Sequence, residues 1–202
     1  MIRNVIFDLG GVLIDWNPRY LYERIFETTE EMDYFLQNVC SPEWNDHQDA
    51  GRPLDLATEI LVKDFPEYES AIKAYYDRWT EMLGGAISST VTLLKEVKDS
   101  GNVRLFALTN WSAETFNETR SIFPFLHWFE GILVSGEEKI KKPDRRIYAL
   151  LLSRYNLVAS ETVFIDDNIH NIRAAEEIGF QTIHFENSEQ VRSILRNKGV
   201  IN

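Results

Sequence analysis

The feature that most constrains this chain is the alternation of short apolar segments with longer amphipathic segments. Segments that are apolar on both faces form the strands of a parallel sheet, and the amphipathic segments between them cover the sheet as helices. The predicted strands are Asn4–Asp8, Val103–Thr109, Gly131–Ser135, Thr162–Asp166 and Gln181–Phe185. The predicted helices in the second half are Ser112–Phe123, Pro143–Tyr155, Asn168–Ile178 and Ser188–Asn197. The pattern predicts an α/β fold, a Rossmann-like parallel sheet with helices on both faces.

The stretch from residue 16 to residue 86 breaks this alternation, because it contains no convincing strand. Its apolar residues recur at helical spacing. The predicted helices are Arg19–Phe26, Glu30–Asn38, Leu54–Phe65 and Glu67–Leu83, with the polar stretch Pro42–Pro53 as a link. We therefore expect a core of residues 1–15 and 87–202, with an all-helical cap, residues 16–86, inserted after the first strand.

The negative net charge of the chain disfavours two classes of binding partner. The sequence has 21 Lys and Arg residues against 32 Asp and Glu residues, a formal net charge of −11. Nucleic acids and anionic membranes both bind basic surfaces, so we expect neither as a partner. The single cysteine, Cys40, and an N-terminus without the apolar stretch of a signal peptide predict a cytoplasmic protein. The sequence does not decide the oligomeric state, and a monomer or a weak dimer both remain open.

Residues with useful chemistry follow four of the predicted strands or the loops behind them. They are Asp8, then Thr109 and Asn110, then Lys142, and finally Asp166 and Asp167. Ligands of open parallel sheets bind beyond the carboxyl ends of the strands, where these side chains would converge. Each residue alone also fits a helix cap or a turn. Together, the carboxylates would repel one another without a cation, and oxygen ligands of this kind suit Mg²⁺.

Four segments carry a resemblance to a known family. VIFDLGGVL, LFALTN, KIKKPDRRIY and VFIDD, in this order, resemble the four motifs of the haloacid dehalogenase (HAD) superfamily of hydrolases. The predicted helical insertion lies where that family carries its helical cap. The DLGG form of the first motif and the DWNP that follows look most like sugar-phosphate phosphatases of the α-glucose-1-phosphate phosphatase type. The resemblance thus implies a Mg²⁺-dependent phosphatase that hydrolyses a small phosphorylated metabolite.

The resemblance also implies roles for the residues at the strand ends. Asp8 matches the nucleophile that attacks phosphorus and forms an aspartyl-phosphate. Thr109 and Asn110 match the hydroxyl and amide that hold the phosphoryl group. Lys142 matches the lysine that neutralises the nucleophile and the phosphate. The metal ligands implied are Asp8, the carbonyl of Gly10, Asp166 through water, and Asp167 directly.

Gly10 departs from the family pattern, which usually has a second aspartate there as general acid and base. A glycine keeps the carbonyl but loses a proton donor, which is typically worth ~10²–10⁴ in rate. Three interpretations stay open. The first is an active phosphatase in which Asp15, an acidic residue of the cap or an easily released leaving group makes up for the loss. The others are a 2-haloacid dehalogenase, and a weak or inactive relative that acts as a binding or regulatory protein. The acidic pair Asp166 and Asp167 disfavours the dehalogenase.

Substrate contacts are expected from the cap and from the edge of the core. The polar stretch offers Trp44, Asn45, Asp46, His47, Gln48, Asp49 and Arg52. Trp16 lies at the start of the cap and Trp111 directly after the second motif. From these residues, we predict possible substrate contacts at Trp16, Trp44, Asp46, Arg52 and Trp111.

Overall fold

A five-stranded parallel sheet forms the centre of the molecule in the computed structural model, which describes residues 1–202. The chain has seven strands, of which β2 and β3 form a separate ribbon. They are β1 (Asn4–Phe7), β2 (Ile14–Trp16), β3 (Leu83–Ala86), β4 (Arg104–Thr109), β5 (Gly131–Val134), β6 (Thr162–Asp166) and β7 (Gln181–His184). The sheet has the order β5-β4-β1-β6-β7, and β1 lies at its centre. This arrangement confirms the predicted α/β fold with a Rossmann-like parallel sheet.

Helices cover both faces of the sheet and form the cap. They are α1 (Arg19–Tyr22), α2 (Thr29–Asn38), α3 (Pro42–Asp49), α4 (Leu54–Asp64), α5 (Glu69–Asp77), α6 (Ser88–Ser100), α7 (Ala113–Ile122), α8 (Ser135–Glu138), α9 (Arg145–Tyr155), α10 (Ile169–Ile178) and α11 (Ser188–Asn197). Alternate residues of a strand face opposite sides, so in β1 Ile6 packs with the core under α9 and α10, whereas Val5 packs with the core under α6 and α11. No helix combines the length and the apolar character needed to cross a bilayer.

The register of the sheet brings the ends of β1, β4 and β6 level with one another. Phe7 pairs with Ala107 on one side and with Ile165 on the other. The next residue, Asp8, continues the ladder by donating its backbone N–H to the Ile165 carbonyl at 2.9 Å. The chemically capable residues that follow these strands therefore share one edge of the sheet.

The prediction that residues 16–86 contain no strand is wrong at both ends of the segment. β2 and β3 pair in an antiparallel ribbon, with Ile14 opposite Ala86. The helix expected over Glu67–Leu83 is also interrupted, because α5 ends at Asp77 and a 3₁₀ turn, Trp79–Met82, leads into β3. The pairing partner of β3 lies far away in the sequence, and a strand as rich in glycine as LGGA has no local propensity to reveal it.

The polar stretch predicted as a link is helix α3 instead. Ser41 caps its N-terminus by accepting a hydrogen bond from the Trp44 backbone N–H at 3.2 Å, and Pro42 occupies the first helical position. Only Trp44 and Gln48 of this helix are buried, so its composition resembles that of a loop. The serine–proline pair was the sequence signal for the helix start.

Helix α3 and the loop after it connect the cap to the core. Asp46 forms an ion pair with Lys141 at 2.7 Å, and the backbone N–H of Leu54 donates to Glu114 Oε1 of α7 at 3.0 Å. At Gly51, which has φ +94°, an added Cβ would lie 2.7 Å from Lys139 Cγ. The glycine therefore allows the cap to approach the loop that carries Lys142.

Candidate active site

Asp8 lies at the end of the central strand with its carboxylate among charged neighbours. Its side chain is almost fully buried, and Oδ1 accepts a hydrogen bond from the Leu9 backbone N–H at 2.7 Å. Burial is the largest cause that raises the pKa of Asp8, Lys142 lowers it, and the charges of Asp166 and Asp167 also raise it, to a net value of about 8. A positive charge in addition to Lys142 would be needed to hold Asp8 ionised and nucleophilic at neutral pH.

Lys142 is placed between two carboxylates. Its Nζ lies 2.9 Å from Asp8 Oδ1 and 2.7 Å from Asp166 Oδ2, and it also donates to the Leu108 carbonyl at 3.0 Å. Burial opposes its charge, but Asp166 and Asp8 outweigh that effect and raise its pKa. The side chain, 1% exposed, is therefore a fixed cation beside Asp8.

Asp166 is surrounded by donors. Besides Lys142, it accepts the Asn168 backbone N–H at 2.8 Å and the Asn171 amide at 3.0 and 3.1 Å. Both of its oxygens are engaged and the side chain is completely buried. This geometry suits a residue that orients Lys142, and it is compatible with the water-mediated metal role that the sequence implies.

Thr109 and Asn110 lie at the carboxyl end of β4. Thr109 is its last residue and lines the cavity above Asp8. The side-chain amide of Asn110 donates to the Lys142 carbonyl at 2.9 Å, while its oxygen accepts the Lys142 backbone N–H at 2.8 Å. The predicted phosphate ligand Asn110 therefore also holds the loop that carries Lys142.

The carboxylates at this edge fit a magnesium site. One oxygen from each of Asp8, Asp166 and Asp167 lies within 4.8 Å of the others, and Lys142 supplies only one compensating charge. Burial, followed by the charge of Asp166, raises the pKa of Asp167 as well. An all-oxygen donor set with excess negative charge is what Mg²⁺ prefers. Gly10, two residues after Asp8, lines the same cavity as Asp8 and Asp167.

Two cavities meet above this edge. The first, the strand-end cavity, encloses about 680 Å³ that includes open solvent and is lined by Asp8, Gly10, Gly11, Trp16, Thr109, Asn110, Lys142, Asp167, Asn168 and Asn171. The second, the tryptophan cavity, encloses about 350 Å³ and is lined by Gly10, Trp16, Asn45, Asp49, Trp79, Asn110 and Trp111. Gly10, Trp16 and Asn110 line both, so the second cavity adjoins the first.

Three indole rings form the apolar part of the tryptophan cavity. Trp16 stacks on Trp79 with ring centroids 5.6 Å apart, and Trp79 meets Trp111 edge-on at 6.2 Å. None of the three indole N–H groups has an acceptor within the protein. Asn45 and Asp49 contribute polar groups from α3.

The structure separates the candidate substrate residues into two groups. Trp16 and Trp111 line the tryptophan cavity, whereas Trp44 packs against Tyr75 with ring centroids 5.1 Å apart and lines neither cavity. Arg52 folds back onto α3, where it donates to Gln48 Oε1 at 2.7 Å. Asp46 forms the ion pair with Lys141 described above and likewise lines neither cavity.

Two residues of the site were missed as functional candidates in the sequence. Trp79 counted only as a core residue of a cap helix, yet it lines the tryptophan cavity. Asn171 lies one turn into α10 and binds Asp166 with its side chain. Its position, five residues after Asp166, was the available signal, because a helix that starts at the strand end directs its first turn back toward that end.

The comparisons with known proteins identify the family of the chain. The sequence profile described as haloacid dehalogenase-like hydrolase matches residues 2–179. The chain is 30% identical to the sesquiterpene phosphatase astK of Aspergillus oryzae over 92% of this chain and 91% of that protein. It is 25% identical to a phosphorylated carbohydrates phosphatase of Thermotoga maritima over 89% of this chain and 83% of the relative.

A solved structure has the same fold. The magnesium complex of a HAD family enzyme from Bacteroides thetaiotaomicron superposes with a TM-score of 0.74, covers 96% of this chain and 98% of its own, and is 21% identical. The chain therefore belongs to the haloacid dehalogenase-like hydrolases. Several of its relatives, including the two named above, are phosphatases, and the chain is an enzyme of that phosphatase class.

Proposed function

We propose that the protein is a Mg²⁺-dependent phosphatase that hydrolyses a small phosphate monoester, a sugar phosphate, through an aspartyl-phosphate on Asp8. The observation that carries the proposal is the contact of 2.9 Å between Asp8 Oδ1 and Lys142 Nζ at the floor of the strand-end cavity. A carboxylate attacks an anionic phosphate only where the charge between them is cancelled, and Lys142 is fixed to do this.

Each residue of the site has its own role in the proposed phosphoryl transfer. Asp8 attacks phosphorus, and the Leu9 backbone N–H orients its carboxylate. Thr109 and Lys142 bind the phosphoryl oxygens, and Asp166 keeps Lys142 charged and in place. Asp8, the Gly10 carbonyl and Asp167 would hold Mg²⁺, which when bound supplies further neutralisation of the phosphoryl oxygens.

The tryptophan cavity supports a sugar as the alcohol part of the ester. Flat indole faces pack against the carbon side of a sugar ring, and Asn45 and Asp49 offer partners for hydroxyl groups.

A prenyl phosphate is the second candidate, because a further cavity extends into the cap. This cap cavity encloses about 590 Å³ with open solvent included and shares Trp16, Asn45 and Asp49 with the tryptophan cavity. Its other walls include Leu36, Cys40 and several further apolar side chains. The relation to a sesquiterpene phosphatase also favours this class of substrate.

The decisive experiment measures phosphate release from a panel of esters with Mg²⁺ and with EDTA. The panel contains glucose 1-phosphate, glucose 6-phosphate, ribitol 5-phosphate, farnesyl phosphate and a nucleotide. We expect Mg²⁺-dependent release that Asp8→Asn abolishes, and a phosphorylated Asp8 peptide in rapidly quenched samples. Chloride release from 2-chloropropionate in EDTA would instead identify a dehalogenase, and no turnover with any compound would identify a binding protein.

A variant of the cap cavity separates the two substrate classes. Leu36→Trp fills that cavity without touching the strand-end cavity. We expect a sugar phosphate to have the higher kcat/KM in the wild type and to keep it in Leu36→Trp. A wild type that hydrolyses farnesyl phosphate with the higher kcat/KM, and a Leu36→Trp variant that loses this preference, would assign the prenyl class instead.

A further inference from the structure

The space beside the backbone of Gly10 is open. A Cβ built on Gly10 would have no atom within 4 Å, and its backbone is not among the positive-φ glycines. The position therefore has room for a side chain and a backbone that other residues tolerate. The absence of a carboxyl group there leaves an open space between the two cavities, which Gly10 lines on both sides.

Few acidic side chains line the two cavities beside Gly10. Among the residues that line the two cavities, the carboxyl groups belong to Asp8, Asp167 and Asp49. Asp8 is the nucleophile and Asp167 a metal ligand in the proposed function. Asp15, the other substitute considered from the sequence, accepts a hydrogen bond from Tyr20 at 2.8 Å and lines neither cavity.

Asp49 lies in an environment that opposes its negative charge. It is the last residue of α3, where the helix dipole opposes a negative charge. Burial is the largest cause that raises its pKa, Asp46 also raises it, and Lys141 and Lys142 lower it, to a net value of about 7. Tyr75 and Tyr76 of α5 are the other titratable groups that face it. Asp49 lines the tryptophan cavity together with Gly10 and Asn110, both of which also line the strand-end cavity.

We propose that Asp49 is the general acid and base of the reaction, supplied by the cap in place of the side chain that Gly10 lacks. This inference rests on the proposed phosphatase function. It makes Asp49 a catalytic residue that touches the ester oxygen in the tryptophan cavity. It also makes chemistry depend on cap closure, because α3 belongs to the cap.

The protons balance over the two steps. In the first, Asp8 attacks phosphorus, the bond from phosphorus to the ester oxygen breaks, and that oxygen takes the proton of Asp49 and leaves as an alcohol. In the second, a water attacks the phosphorus of the aspartyl-phosphate and gives its proton to the Asp49 carboxylate. The bond from phosphorus to Asp8 then breaks, which releases inorganic phosphate and restores Asp49 to its protonated form.

The test compares esters whose leaving groups differ in their need for a proton. Asp49→Asn keeps the shape of the side chain but cannot donate or accept this proton. We expect it to lower kcat/KM for a primary alkyl phosphate by ~10²-fold or more. For 4-nitrophenyl phosphate, whose leaving group departs as an anion, we expect a loss of less than ~10-fold. The decline of kcat/KM at alkaline pH that follows loss of the Asp49 proton should disappear in the variant.

A rescue variant and a control variant sharpen the test. Gly10→Asp places a carboxyl group in the open space and should restore at least ~10-fold of the alkyl phosphatase activity in the Asp49→Asn background. Glu43→Gln is the control, because it removes one negative charge from the exposed face of the same helix, and Glu43 lines none of the three cavities. It should change the rates of both substrates by the same factor.

Several outcomes would overturn the proposal. They are an equal loss for both esters in Asp49→Asn, no loss for the alkyl ester in that variant, or a selective loss for the alkyl ester in Glu43→Gln. Failure of the phosphatase function itself has a different signature, since the wild type would then release phosphate from neither ester. Wild-type activity on both esters that Asp8→Asn abolishes keeps the proposed function intact whatever Asp49→Asn does.

Discussion

The side chain of Asn110 and the backbone of Lys142 exchange two hydrogen bonds. Lys142 N donates to Asn110 Oδ1 at 2.8 Å, and Asn110 Nδ2 donates to the Lys142 carbonyl at 2.9 Å. The pair fastens the loop after α8 to the end of β4. Because Lys142 Nζ must reach both Asp8 and Asp166, the position of its backbone decides whether it can do so. Asn110 thus acts as a positioning residue in addition to lining both cavities.

Asn110→Ala should impair both stability and activity. It removes two partly buried hydrogen bonds, each worth ~1 kcal/mol net, so the free energy of unfolding should fall by ~2 kcal/mol. A displaced Lys142 should lower kcat/KM by more than ~10-fold, since electrostatic groups must be preorganised. Urea unfolding and steady-state kinetics on the same preparation measure the two effects.

Asn102→Ala is the matched control for that variant. Asn102 Nδ2 donates to the Val200 carbonyl at 3.2 Å, in a part of the core remote from the site. Its loss should reduce stability and leave kcat/KM unchanged. Equal kinetic effects in the two variants would contradict a positioning role for Asn110.

Magnesium should stabilise the wild type through Asp167. A ligand that binds only the folded state adds ~2.7 kcal/mol at one hundred times its dissociation constant. Asp167→Ala should weaken or abolish the increase in melting temperature on Mg²⁺ addition, and raise the Mg²⁺ concentration needed for activity. Asp166→Ala should change the Mg²⁺ requirement less, because Asp166 is engaged by Lys142 and Asn171. An identical Mg²⁺ titration in wild type and Asp167→Ala would exclude Asp167 as a ligand.

The central sheet could be predicted from the sequence because its signals are local. The buried strand β6, for example, is continuously apolar up to Asp166, and α10 ends at Gly179, which has φ +100°. The order of the strands was not predicted, because parallel pairing alone does not decide which strands are neighbours. The residues at the strand ends could be predicted for the same reason, since the end of each strand is visible in the chain.

The cap could not be predicted to the same depth, because its contacts depend on distant partners. β3 exists only through its pairing with β2, and the orientation of α3 depends on contacts such as Lys141 with Asp46. From the sequence, Asp46 and Asp49 were both described only as polar residues of a link between cap helices. Which of them lines the tryptophan cavity depends on the helical phase of α3, and the stretch was not predicted to be a helix.

Gly10 and Gly11 should differ sharply in their tolerance of alanine. Gly11 has φ +73°, and a Cβ there would lie 2.3 Å from Asp167 Oδ2, whereas Gly10 has free space. The left-handed backbone alone costs a non-glycine residue ~1–2 kcal/mol, and the clash would displace the metal ligand Asp167. Gly11→Ala should therefore lower the free energy of unfolding by at least that amount and weaken Mg²⁺ binding. Gly10→Ala is its control and should keep wild-type stability; equal destabilisation in urea unfolding would refute the distinction.

The raised pKa of Asp49 should appear as a pH dependence of stability. Between the ordinary value of 3.8 and about 7, the folded protein holds a proton on Asp49 that the unfolded chain has released. The free energy of unfolding therefore falls as pH rises through this interval and levels off above it. Asparagine does not titrate, so Asp49→Asn should gain stability relative to the wild type as pH rises from 4 to about 7. Urea unfolding of both proteins in EDTA at a series of pH values measures this difference. The other titrating groups are present in both proteins, so their contributions cancel in the comparison. A stability difference that is independent of pH would mean that Asp49 titrates as an ordinary exposed carboxyl group.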